Sequence, residues 1–582
     1  MNQQFPVYTV KTECQDCYKC VRECPVKAIK IEQGSATVLP ELCIACGRCV
    51  NICPAQAKHV RSDALRAQSL LRRKERVYVS LAPSWVAELP GVSEKAMVSA
   101  LRRLGFAGAS ETALGAQQVS AEIARRLAAS AEPDLLISSA CPVVVSFISH
   151  YVPDFTKHIT DVLSPLLAHC KLLRQEFGDS IGIVFIGPCI GKKLEADSHP
   201  DLLDVALTFQ ELRAWLQEEE ISFAEAGESG ERFVPEAAAE GALYPIEGGM
   251  LQTIEAYAPG SGVEYVTLTG LENVRHGLQT LKPGELSHPL VLECLACPGG
   301  CVGGPCMTRP EASPIKGRLD VLARCEMPRQ PLARVPVVDV QEPIASTRVF
   351  VPSPDEADLR EALARTGKHT VQDELNCGGC GYDTCRKFAQ AMLLGKAEPA
   401  MCLSYLRNLA NKKANALLRS IPSGVVLVDD GLKVIECNEP FARMFGEDTM
   451  SVYEVCPGLE GASLPALVPF YELFNNVINS GEDLHRHHLH VGGRFLDVSI
   501  FILEPGRIVG AVIQDVTQTE VRRDQIAQNA RDVIKKNLST VQDIAFRLGE
   551  HMAETEILLR AIADDYPTVD PPAPISGEPS QE

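Results

Sequence analysis

The sequence lacks several features that would assign it to common protein classes. No stretch of its 582 residues approaches the roughly 18–20 consecutive apolar residues that a membrane-spanning helix needs. The opening residues, MNQQFPVYTVKTEC, contain no apolar signal core. The net charge of −19 leaves no basic surface of the kind that binds nucleic-acid phosphates. We therefore expect a cytoplasmic protein with no membrane span and no nucleic-acid partner.

Length and composition favour several globular domains. A chain of this length suggests about three to five domains of the usual size. Apolar residues make up 46% and charged residues 23%, an ordinary balance for proteins with packed cores. In a cytoplasmic protein, the 22 cysteines are interpreted first as metal ligands or reduced thiols and only then as disulfides.

The first 53 residues contain one cysteine pattern twice. Each run has the spacing Cys-x2-Cys-x2-Cys-x3-Cys-Pro. This spacing holds two [4Fe–4S] clusters, with the fourth cysteine of each run binding the other cluster. The expected ligand sets are Cys14, Cys17, Cys20 and Cys53 for one cluster, and Cys43, Cys46, Cys49 and Cys24 for the other. Zinc needs only four ligands and disulfides need no such spacing, so we predict a two-cluster ferredoxin-like domain over residues 1–60.

Residues 61–345 show alternating β and α patterns. Short apolar runs (VYVSLA, DLLISSA, IGIVFIG and PLVLECLA) alternate with amphipathic helices such as Val98–Leu104 and Val119–Ala128. This alternation predicts an α/β domain with parallel strands. Four cysteines follow three of these predicted strands, at the carboxyl ends where such sheets bind ligands: Cys141, Cys189, Cys297 and Cys301. A lone cysteine there is commonly a buried apolar residue, but the third loop has two cysteines among glycines.

These three loops resemble the signature loops of the [FeFe]-hydrogenases. Where that family has TSCCP, MPCxxKxxE and ExMACxxGCxxGG, this chain has SSACP (138–142), GPCIGKKLE (187–195) and ECLACPGGCVGG (293–304). The resemblance implies an H-cluster, a [4Fe–4S] cluster joined to a two-iron subsite with CO, cyanide and dithiolate ligands. It makes Cys141, Cys189, Cys297 and Cys301 the cluster ligands, with Cys301 also bridging to the two-iron subsite.

The same resemblance implies roles for two further residues. Lys192 would donate a hydrogen bond to a cyanide ligand, although a solvated lysine is the alternative interpretation of its sequence position. Ser84 would line the same pocket. Both methionines that the family places near the irons are replaced, by Gly187 and Leu295.

The chain departs from the family along the expected proton path. Ala140 stands where the family has the cysteine that passes protons to the two-iron site, and a methyl group cannot transfer a proton. Glu122 keeps one relay carboxylate, but Arg125 and Arg126 follow where the family has further acidic residues. We therefore expect an H-cluster that binds H2 and oxidises it reversibly but slowly.

A third set of cysteines lies in residues 346–410: Cys377, Cys380, Cys385 and Cys402. The run CGGCGYDTC resembles the small Fes-type [4Fe–4S] domain of electron-transfer proteins. A CxxC motif alone also suits zinc, which remains the alternative. With the cluster interpretation, the chain would hold three accessory [4Fe–4S] clusters and the H-cluster.

Residues 411–518 resemble a PAS domain, through SGVVLVDDGLKVIECNEPFARMFG and the closing QDVT. A group of four histidines could indicate a haem or metal site, but a solvated edge strand is the favoured interpretation: His485, His487, His488 and His490. We predict no PAS cofactor.

Residues 519–566 carry a heptad seam that predicts a coiled coil, or else an amphipathic helix packed on the PAS domain. Residues 567–582 are predicted to be disordered.

Together these segments predict a multidomain α/β and α+β protein that acts as an H2-sensing [FeFe]-hydrogenase with low turnover. Its expected partners are H2 and protons, a redox partner protein, H-cluster maturation proteins, a kinase or phosphatase, and a second copy of the chain. One alternative is a catalytic hydrogenase, or a subunit of an electron-transfer complex, with another proton route. The other is a hydrogenase-like iron–sulfur protein without a two-iron subsite, serving in redox sensing or cluster assembly. Lys192 disfavours the last.

Overall fold

The structure is a computed structural model that describes residues 4–129, 134–226, 231–260, 262–308, 313–325, 331–517 and 533–537. The chain divides into two compact units, Met1–Met401 and Cys402–Glu582. Within the described ranges, no helix has the length and apolar character needed to cross a membrane.

The first unit begins with a small module built as a repeat. Its elements are β1 (Val7–Thr9), α1 (Lys19–Glu23), β2 (Ile29–Glu32), β3 (Ser35–Val38), α2 (Arg48–Ile52) and β4 (Lys58–Val60). β1 pairs with β4 and β2 with β3, both antiparallel. Tyr18 before α1 and Gly47 before α2 both have positive φ, 57° and 75°. The cysteine loops thus turn into their helices in the same way, as a duplicated sequence pattern predicts.

An α/β region follows. Its elements are α3 (Ala64–Arg73), β5 (Val77–Leu81), α4 (Trp85–Glu88), α5 (Glu94–Arg103), β6 (Gly108–Glu111), α6 (Ala113–Ala129), β7 (Leu135–Ile137), α7 (Pro142–Tyr151), α8 (Pro165–Phe177), β8 (Gly182–Gly187), α9 (Gly191–Ser198), β9 (Val205–Thr208), α10 (Phe209–Glu218), α11 (Phe223–Ala226), α12 (Gly249–Tyr257), β10 (Glu264–Thr269), α13 (Leu271–Thr280), β11 (Leu290–Leu295) and α14 (Pro314–Arg324).

The strands of this region are parallel, as predicted, but they form two sheets. One sheet has the order β6-β5-β8-β9 and the other β10-β11-β7. The four apolar runs recognised in the sequence are β5, β7, β8 and β11. β5 and β8 are buried along their whole length, which explains their continuous apolar sequences. The division into two sheets was not predicted, because apolar runs do not encode which strands pair.

Helix α6 is held against α8 by close backbone contact. A Cβ on Gly115 would overlap the Pro165 carbonyl oxygen and lie 2.6 Å from the His169 nitrogen. Ser164 caps α8 by accepting a hydrogen bond from the Leu167 N–H at 3.4 Å. This packing fixes the helix that carries Glu122 beside the helix that begins at Ser164.

The last part of the first unit contains α15 (Glu356–Ala364) and α16 (Cys385–Leu393). The two helices pack around a small core of Ala362, Leu363, Cys385 and Ala389. Thr384 caps α16 by accepting from the Lys387 N–H at 3.1 Å. Cys385 therefore lies at the first position of a helix.

The second unit contains a five-stranded antiparallel sheet with the order β13-β12-β16-β15-β14. Its elements are α17 (Leu403–Ser420), β12 (Gly424–Asp429), β13 (Val434–Cys437), α18 (Glu439–Met444), α19 (Glu447–Val455), α20 (Leu464–Leu467), α21 (Tyr471–Ser480), β14 (Leu484–Val491), β15 (Arg494–Glu504) and β16 (Ile508–Asp515). Apolar side chains of β12, β15, β16 and α21 share one core. This agrees with the fold predicted from residues 411–518.

Three sequence predictions on the second unit stay open. Helix α17 runs continuously through residue 410, where the sequence suggested a domain boundary. The predicted coiled coil over 519–566 lies outside the described residues apart from 533–537, which are helical. The predicted tail, 567–582, also lies outside them.

Candidate metal-cluster sites

The N-terminal module brings its eight predicted ligands together in two groups, each drawn from both runs. Burial raises the pKa of the Cys20 thiol to about 11, and the nearby thiols of Cys14, Cys17 and Cys53 raise it further. Burial raises the pKa of Cys49 as well, with the thiols of Cys46, Cys43 and Cys24 adding to it. The fourth cysteine of each run thus lies with the first three of the other run, the arrangement that two [4Fe–4S] clusters require.

A buried lysine lies beside both groups. Lys58 is only 4% exposed, and its ammonium donates hydrogen bonds to Thr9 Oγ1 at 2.5 Å and to the Ala36 carbonyl at 2.9 Å. Its positive charge lowers the pKa values of Cys20 and Cys49 against the larger effect of burial. No motif indicated this role, because the lysine follows the second run in an otherwise ordinary strand.

Four more predicted ligands follow strands of both parallel sheets. Cys141 follows β7 and precedes α7, and Cys189 follows β8 and precedes α9. Cys297 and Cys301 follow β11. The carboxyl ends of the two sheets therefore contribute to one site, as the position of ligands in parallel sheets predicts.

The four thiols of this site are close enough to interact. Desolvation raises the pKa of Cys301, and the thiols of Cys141 and Cys189 raise it further. The pKa of Cys297 is raised in the same way, with contributions from the other three cysteines of the site and from Cys46. Cys46 belongs to the ferredoxin-like module, so this site and the second N-terminal group are neighbours.

Glycines at this site allow the backbone to approach closely. A Cβ on Gly191 would lie 2.7 Å from Val143 Cγ2 and 3.5 Å from Cys189 Sγ. Gly300 has φ 97° and packs against the Pro245 carbonyl, where a side chain would overlap. The loops around the cysteines therefore depend on glycine at these two positions.

Lys192 is buried near two of the four cysteines, Cys189 and Cys301. Its side chain is 8% exposed, and its positive charge lowers the pKa values of Cys189 and Cys301 against larger desolvation. Its ammonium donates to Glu195 Oε2 at 2.6 Å and to Ser164 Oγ at 3.0 Å. The interpretation as a solvated lysine does not fit this burial. Sequence reasoning assigned no role to Glu195, although its i+3 spacing on α9 could have suggested the pair.

Ala140 is half-buried directly before Cys141. Its N–H donates to Ser138 Oγ at 3.1 Å, and the Ser138 hydroxyl donates to the sulfur of Met250 at 3.0 Å. The position thus has a methyl side chain where a proton carrier was expected.

Ser84 is fully buried, and its hydroxyl has no hydrogen-bond partner in the described part of the chain. The loop that carries it is held by a hydrogen bond from the Ala82 N–H to the Ile186 carbonyl at 2.9 Å. This places the loop beside the end of β8, at a residue two positions before Pro188 and three before Cys189. An unpaired buried hydroxyl next to the cysteine loop fits a polar group bound in the pocket.

Glu122 is paired with both arginines that follow it on α6. Arg125 donates to its carboxylate at 2.8 and 2.7 Å, and Arg126 Nε donates at 2.9 Å. The hydrogen bonds from Arg125 are the main cause of a lowered Glu122 pKa, and Arg126 adds to it. The carboxylate is therefore held ionised, which opposes its protonation as part of a relay.

Glu293 is a buried carboxyl near the site that sequence reasoning did not single out. It accepts hydrogen bonds from the Gly248 N–H at 2.7 Å, the Met250 N–H at 3.1 Å and the Thr267 hydroxyl at 3.0 Å. Burial raises its pKa to about 7. Its hydrogen bonds join β10, β11 and the start of α12, so it holds the strand that leads into the Cys297 loop.

Three of the four cysteines in the third predicted ligand set lie at the end of the first unit: Cys377, Cys380 and Cys385. Asn376 has φ 47°, and its side chain accepts a hydrogen bond from the Cys385 N–H at 2.8 Å. This bond folds the loop that carries Cys377 and Cys380 back onto the start of α16. Cys402 is the first residue of the second unit and precedes α17.

The PAS-region histidines lie on β14, at the edge of the sheet, and are exposed. The pairing of β14 with β15 is irregular between Arg486 and Leu489, and His488 has φ 53°. This bulge breaks the alternation that would have put His488 and His490 on one face. The favoured interpretation as a solvated edge strand agrees with these exposures.

The residues fit the iron–sulfur groups that their spacing predicts. No disulfide joins any of the 22 cysteines, all of which lie in the described ranges. Mutual electrostatic effects show that three groups of four lie close together: the two N-terminal groups and the group of Cys141, Cys189, Cys297 and Cys301. Four thiols without a disulfide are the donor set of a [4Fe–4S] cluster. The unpaired Ser84 hydroxyl and the buried Lys192 cation add polar groups beside one of the sites.

Family models match four segments of the chain. Residues 6–54 match the 4Fe-4S dicluster domain, and residues 75–305 match the iron only hydrogenase large subunit, C-terminal domain. Residues 373–404 match a model for an Fe-S cluster, and residues 413–478 match the PAS domain. These matches support iron–sulfur cofactors and an [FeFe]-hydrogenase-like protein that carries a PAS domain.

Three curated proteins are similar to parts of the chain. The NADP-reducing hydrogenase subunit HndD of Solidesulfovibrio fructosivorans is 28% identical over 52% of this chain, which covers 57% of that relative's length. The periplasmic [Fe] hydrogenase large subunit of Nitratidesulfovibrio vulgaris is 24% identical over 50% of this chain and 84% of its own. A protein named as a cytosolic Fe-S cluster assembly factor in Drosophila mojavensis is 24% identical over 30% of this chain and 48% of its own.

A solved structure of the [FeFe]-hydrogenase HydA1 from Chlamydomonas reinhardtii is 21% identical. It aligns with 50% of this chain and 100% of its own, with a TM-score of 0.40.

Proposed function

We propose that this [FeFe]-hydrogenase-like protein with a PAS domain senses H2. When bound, the H-cluster supplies the metal chemistry that splits H2 into two protons and two electrons. Four cysteines would hold that cluster (Cys141, Cys189, Cys297 and Cys301), and three accessory [4Fe–4S] clusters would accept the electrons. The redox state is passed through the PAS domain to a partner.

Lys192 keeps a fixed positive charge beside the site. Its burial and its nearness to Cys301 support a hydrogen bond to an anionic cyanide ligand. Glu195 and Ser164 set the position of its ammonium, at 2.6 and 3.0 Å. Ser84 adds an unpaired hydroxyl to the same pocket.

The observation that carries the proposal is the state of the proton path. Ala140 offers no proton carrier next to Cys141. The next expected carrier, Glu122, is held ionised by Arg125 and Arg126. The residues that would bind the cluster are kept, whereas the two expected proton carriers, at positions 140 and 122, are replaced or held ionised. H2 turnover should therefore be slow. Slow turnover lets the occupancy of the site report H2 without consuming it.

Electrons leave through the ferredoxin-like module. The electrostatic effect of Cys46 on Cys297 supports a direct neighbour relation between the H-cluster site and the cluster of Cys43, Cys46, Cys49 and Cys24. A redox partner protein would then exchange electrons with the accessory clusters. Maturation proteins would load the two-iron subsite in the cytoplasm.

The output would pass through a dimer. The PAS domain and the heptad seam over 519–566 support a homodimer that a kinase or phosphatase recognises. Packed interfaces have discrete arrangements, so a small change at the PAS domain can be amplified there.

The proposal is tested by H2 oxidation with a dye acceptor, using the full chain loaded with the two-iron cofactor. A catalytic [FeFe]-hydrogenase loaded and assayed in parallel is the control. We expect turnover lower by about 10²-fold or more, since one well-placed proton carrier contributes ~10²–10⁴ in rate. Equal turnover would contradict the sensing proposal and favour a catalytic hydrogenase with another proton route.

A second candidate is a hydrogenase-like iron–sulfur protein without a two-iron subsite. It is favoured by the pairing of Lys192 with Glu195, which satisfies the lysine without a cyanide ligand. The similarity to a protein named as an assembly factor points the same way. Loading the chain with the two-iron cofactor separates the two candidates, because only the first should retain bound CO and cyanide.

A further inference from the structure

The loop 377–385 lies directly against the first helix of the ferredoxin-like module. Lys27 Nζ donates to the Gly381 carbonyl at 2.9 Å, and Arg22 Nη1 donates to the Gly379 carbonyl at 3.3 Å. The same ammonium of Lys27 also caps α1, by donating to the Val21 carbonyl at 3.0 Å. One lysine therefore binds the helix between Cys20 and Cys24 and the loop between Cys380 and Cys385.

The segment after the loop adds contacts to the same module. The Ile31 N–H of β2 donates to the Lys396 carbonyl at 2.9 Å. The Gln33 N–H donates to Glu398 Oε1 at 2.9 Å. Hydrogen bonds donated by the backbone of a strand edge fix the orientation of a segment more firmly than exposed ion pairs do. The segment that follows the loop is therefore held in one position against β2.

Glycine is required at the point of closest approach. Gly381 has φ 93°, and a Cβ there would lie 3.0 Å from Val21 Cγ1 and 3.1 Å from the Arg22 nitrogen. Gly395 provides a comparison in the same segment. It also has positive φ, 65°, but has no neighbouring atom within 4 Å of its Cβ position. The close contact is therefore specific to Gly381.

Tyr382 lies at this contact with its side chain buried. The residue is 5% exposed, and its hydroxyl has no hydrogen-bond partner within the described ranges. Its ring packs beside Phe388, with centroids 5.9 Å apart, and the Lys27 ammonium lies 6.0 Å from its centroid. Burial raises the pKa of the phenol, and the thiols of Cys380 and Cys24 raise it further. Ligands of two different predicted clusters thus lie near one phenol.

We propose that Tyr382 marks an electron-transfer contact between the cluster of the 377–385 loop and the ferredoxin cluster bound by Cys24, and that its hydroxyl donates a hydrogen bond to an inorganic sulfur of the loop cluster. This inference rests on the proposed function in one respect, the assignment of iron–sulfur clusters to both sites. A sulfur acceptor satisfies the otherwise unpaired hydroxyl.

The contact implies an order in which electrons pass between the clusters. Cys46 is the neighbour of Cys297 at the H-cluster site, and Cys24 shares its cluster with Cys46. One electron at a time therefore leaves the H-cluster site for the Cys24 cluster and passes from there to the loop cluster. Each transfer oxidises one cluster and reduces the next, with no proton moved. The cluster of Cys14, Cys17, Cys20 and Cys53 becomes a side branch.

The first test uses the full chain reconstituted with [4Fe–4S] clusters but without the two-iron cofactor. Tyr382→Phe removes the hydroxyl and keeps the ring. Loss of a hydrogen bond to sulfur destabilises the more negative, reduced cluster, so the loop cluster should shift to a lower reduction potential with iron content unchanged. The matched control is Tyr471→Phe in the PAS region. An unchanged potential in Tyr382→Phe would overturn the hydrogen bond.

The second test compares Gly381→Ala with Gly395→Ala, two glycines of positive φ in one segment. Electron paramagnetic resonance of the fully reduced protein should show magnetic interaction between the loop cluster and a ferredoxin cluster in wild type and in Gly395→Ala. The interaction should weaken in Gly381→Ala. Equal interaction in both variants, or none in wild type, would overturn the contact. Because no two-iron cofactor is present, a failure of H2 sensing would leave these results unchanged.

Discussion

Arg125 holds the Glu122 carboxylate with two hydrogen bonds, from Nε to Oε2 at 2.8 Å and from Nη2 to Oε1 at 2.7 Å. The Arg125 side chain is exposed, whereas only 5% of the Glu122 side-chain surface is accessible to solvent. A buried carboxylate is thereby paired with a surface cation. The pair lowers the pKa of Glu122 and so opposes its protonation.

Restoring the path should raise turnover. Ala140→Cys combined with Arg125→Glu supplies a thiol and an acidic group and removes one partner of Glu122. We expect H2 oxidation by the loaded double variant to increase by up to ~10²–10⁴-fold, the usual contribution of a well-placed proton carrier. Arg72→Glu, a charge change on exposed α3, is the control and should leave turnover unchanged. Failure of the double variant to exceed wild type would mean that proton transfer does not limit the rate.

Removing the third set of cysteines should remove one cluster only. Four clusters of four irons give about sixteen irons per chain before a two-iron subsite is added. Cys377→Ser with Cys380→Ser should lower this by about four and leave the infrared bands of the loaded H-cluster unchanged. One zinc per chain in the wild-type protein, with no loss of iron in the variant, would show that this site binds zinc.

Lys58 should raise the reduction potentials of the ferredoxin clusters. A unit charge several ångströms away, in a medium with a dielectric constant of about 20, is worth on the order of 2 kcal/mol. Lys58→Met should therefore lower the potentials by an amount on the order of 50–100 mV, since reduction adds negative charge. A redox titration followed by electron paramagnetic resonance measures the shift, with the less buried Lys30→Met as the control. Equal potentials in both variants would exclude this role.

The contact between His199 and Glu342 should weaken at alkaline pH. His199 Nε2 lies 2.8 Å from Glu342 Oε1, and this hydrogen bond raises the pKa of His199 to about 8 despite burial. A raised histidine pKa stabilises the folded contact fully below the unfolded value of 6.5, and the contribution is lost as pH rises through about 8. Hydrogen exchange at the Glu342 amide, corrected for intrinsic rates, should lose protection between pH 6.5 and 9. His199→Gln should abolish this pH dependence. If the pH dependence persists in the variant, another titrating group causes it.

The heptad seam should hold two chains together. Leu548→Lys with Leu559→Lys would bury charge in an apolar seam, at a cost of several kcal/mol unless the helices separate. Light scattering should therefore report a monomer. Gln542→Lys with Ala553→Lys, which lie off the seam, should remain dimeric. If the seam variant stays dimeric, the dimer interface lies on the PAS or ferredoxin surfaces and not on the heptad seam.

Much of this architecture could be predicted from local sequence patterns. The spacing of the N-terminal cysteines predicted their exchange between two groups, and apolar runs predicted β5, β7, β8 and β11. The pairing of Glu122 with both arginines also follows from i+3 and i+4 spacing on one helix. These features depend on residues that are close along the chain.

Long-range contacts could not be predicted in the same way. The hydrogen bond from Lys27 to Gly381 joins residues 354 positions apart, and no sequence motif links the two residues. The division of the parallel strands into two sheets depends equally on tertiary packing. The bulge at His488 depends on strand pairing and not on composition.

Infrared spectroscopy of the full chain, loaded with the two-iron cofactor under anaerobic conditions, tests the central claim most directly. The account predicts bands from metal-bound CO and cyanide that shift when H2 is admitted and return when it is removed. Lys192→Met should shift the cyanide bands while leaving the [4Fe–4S] content unchanged. Absence of CO and cyanide bands after loading, or bands that do not respond to H2, would contradict the assignment of this protein as an H2 sensor.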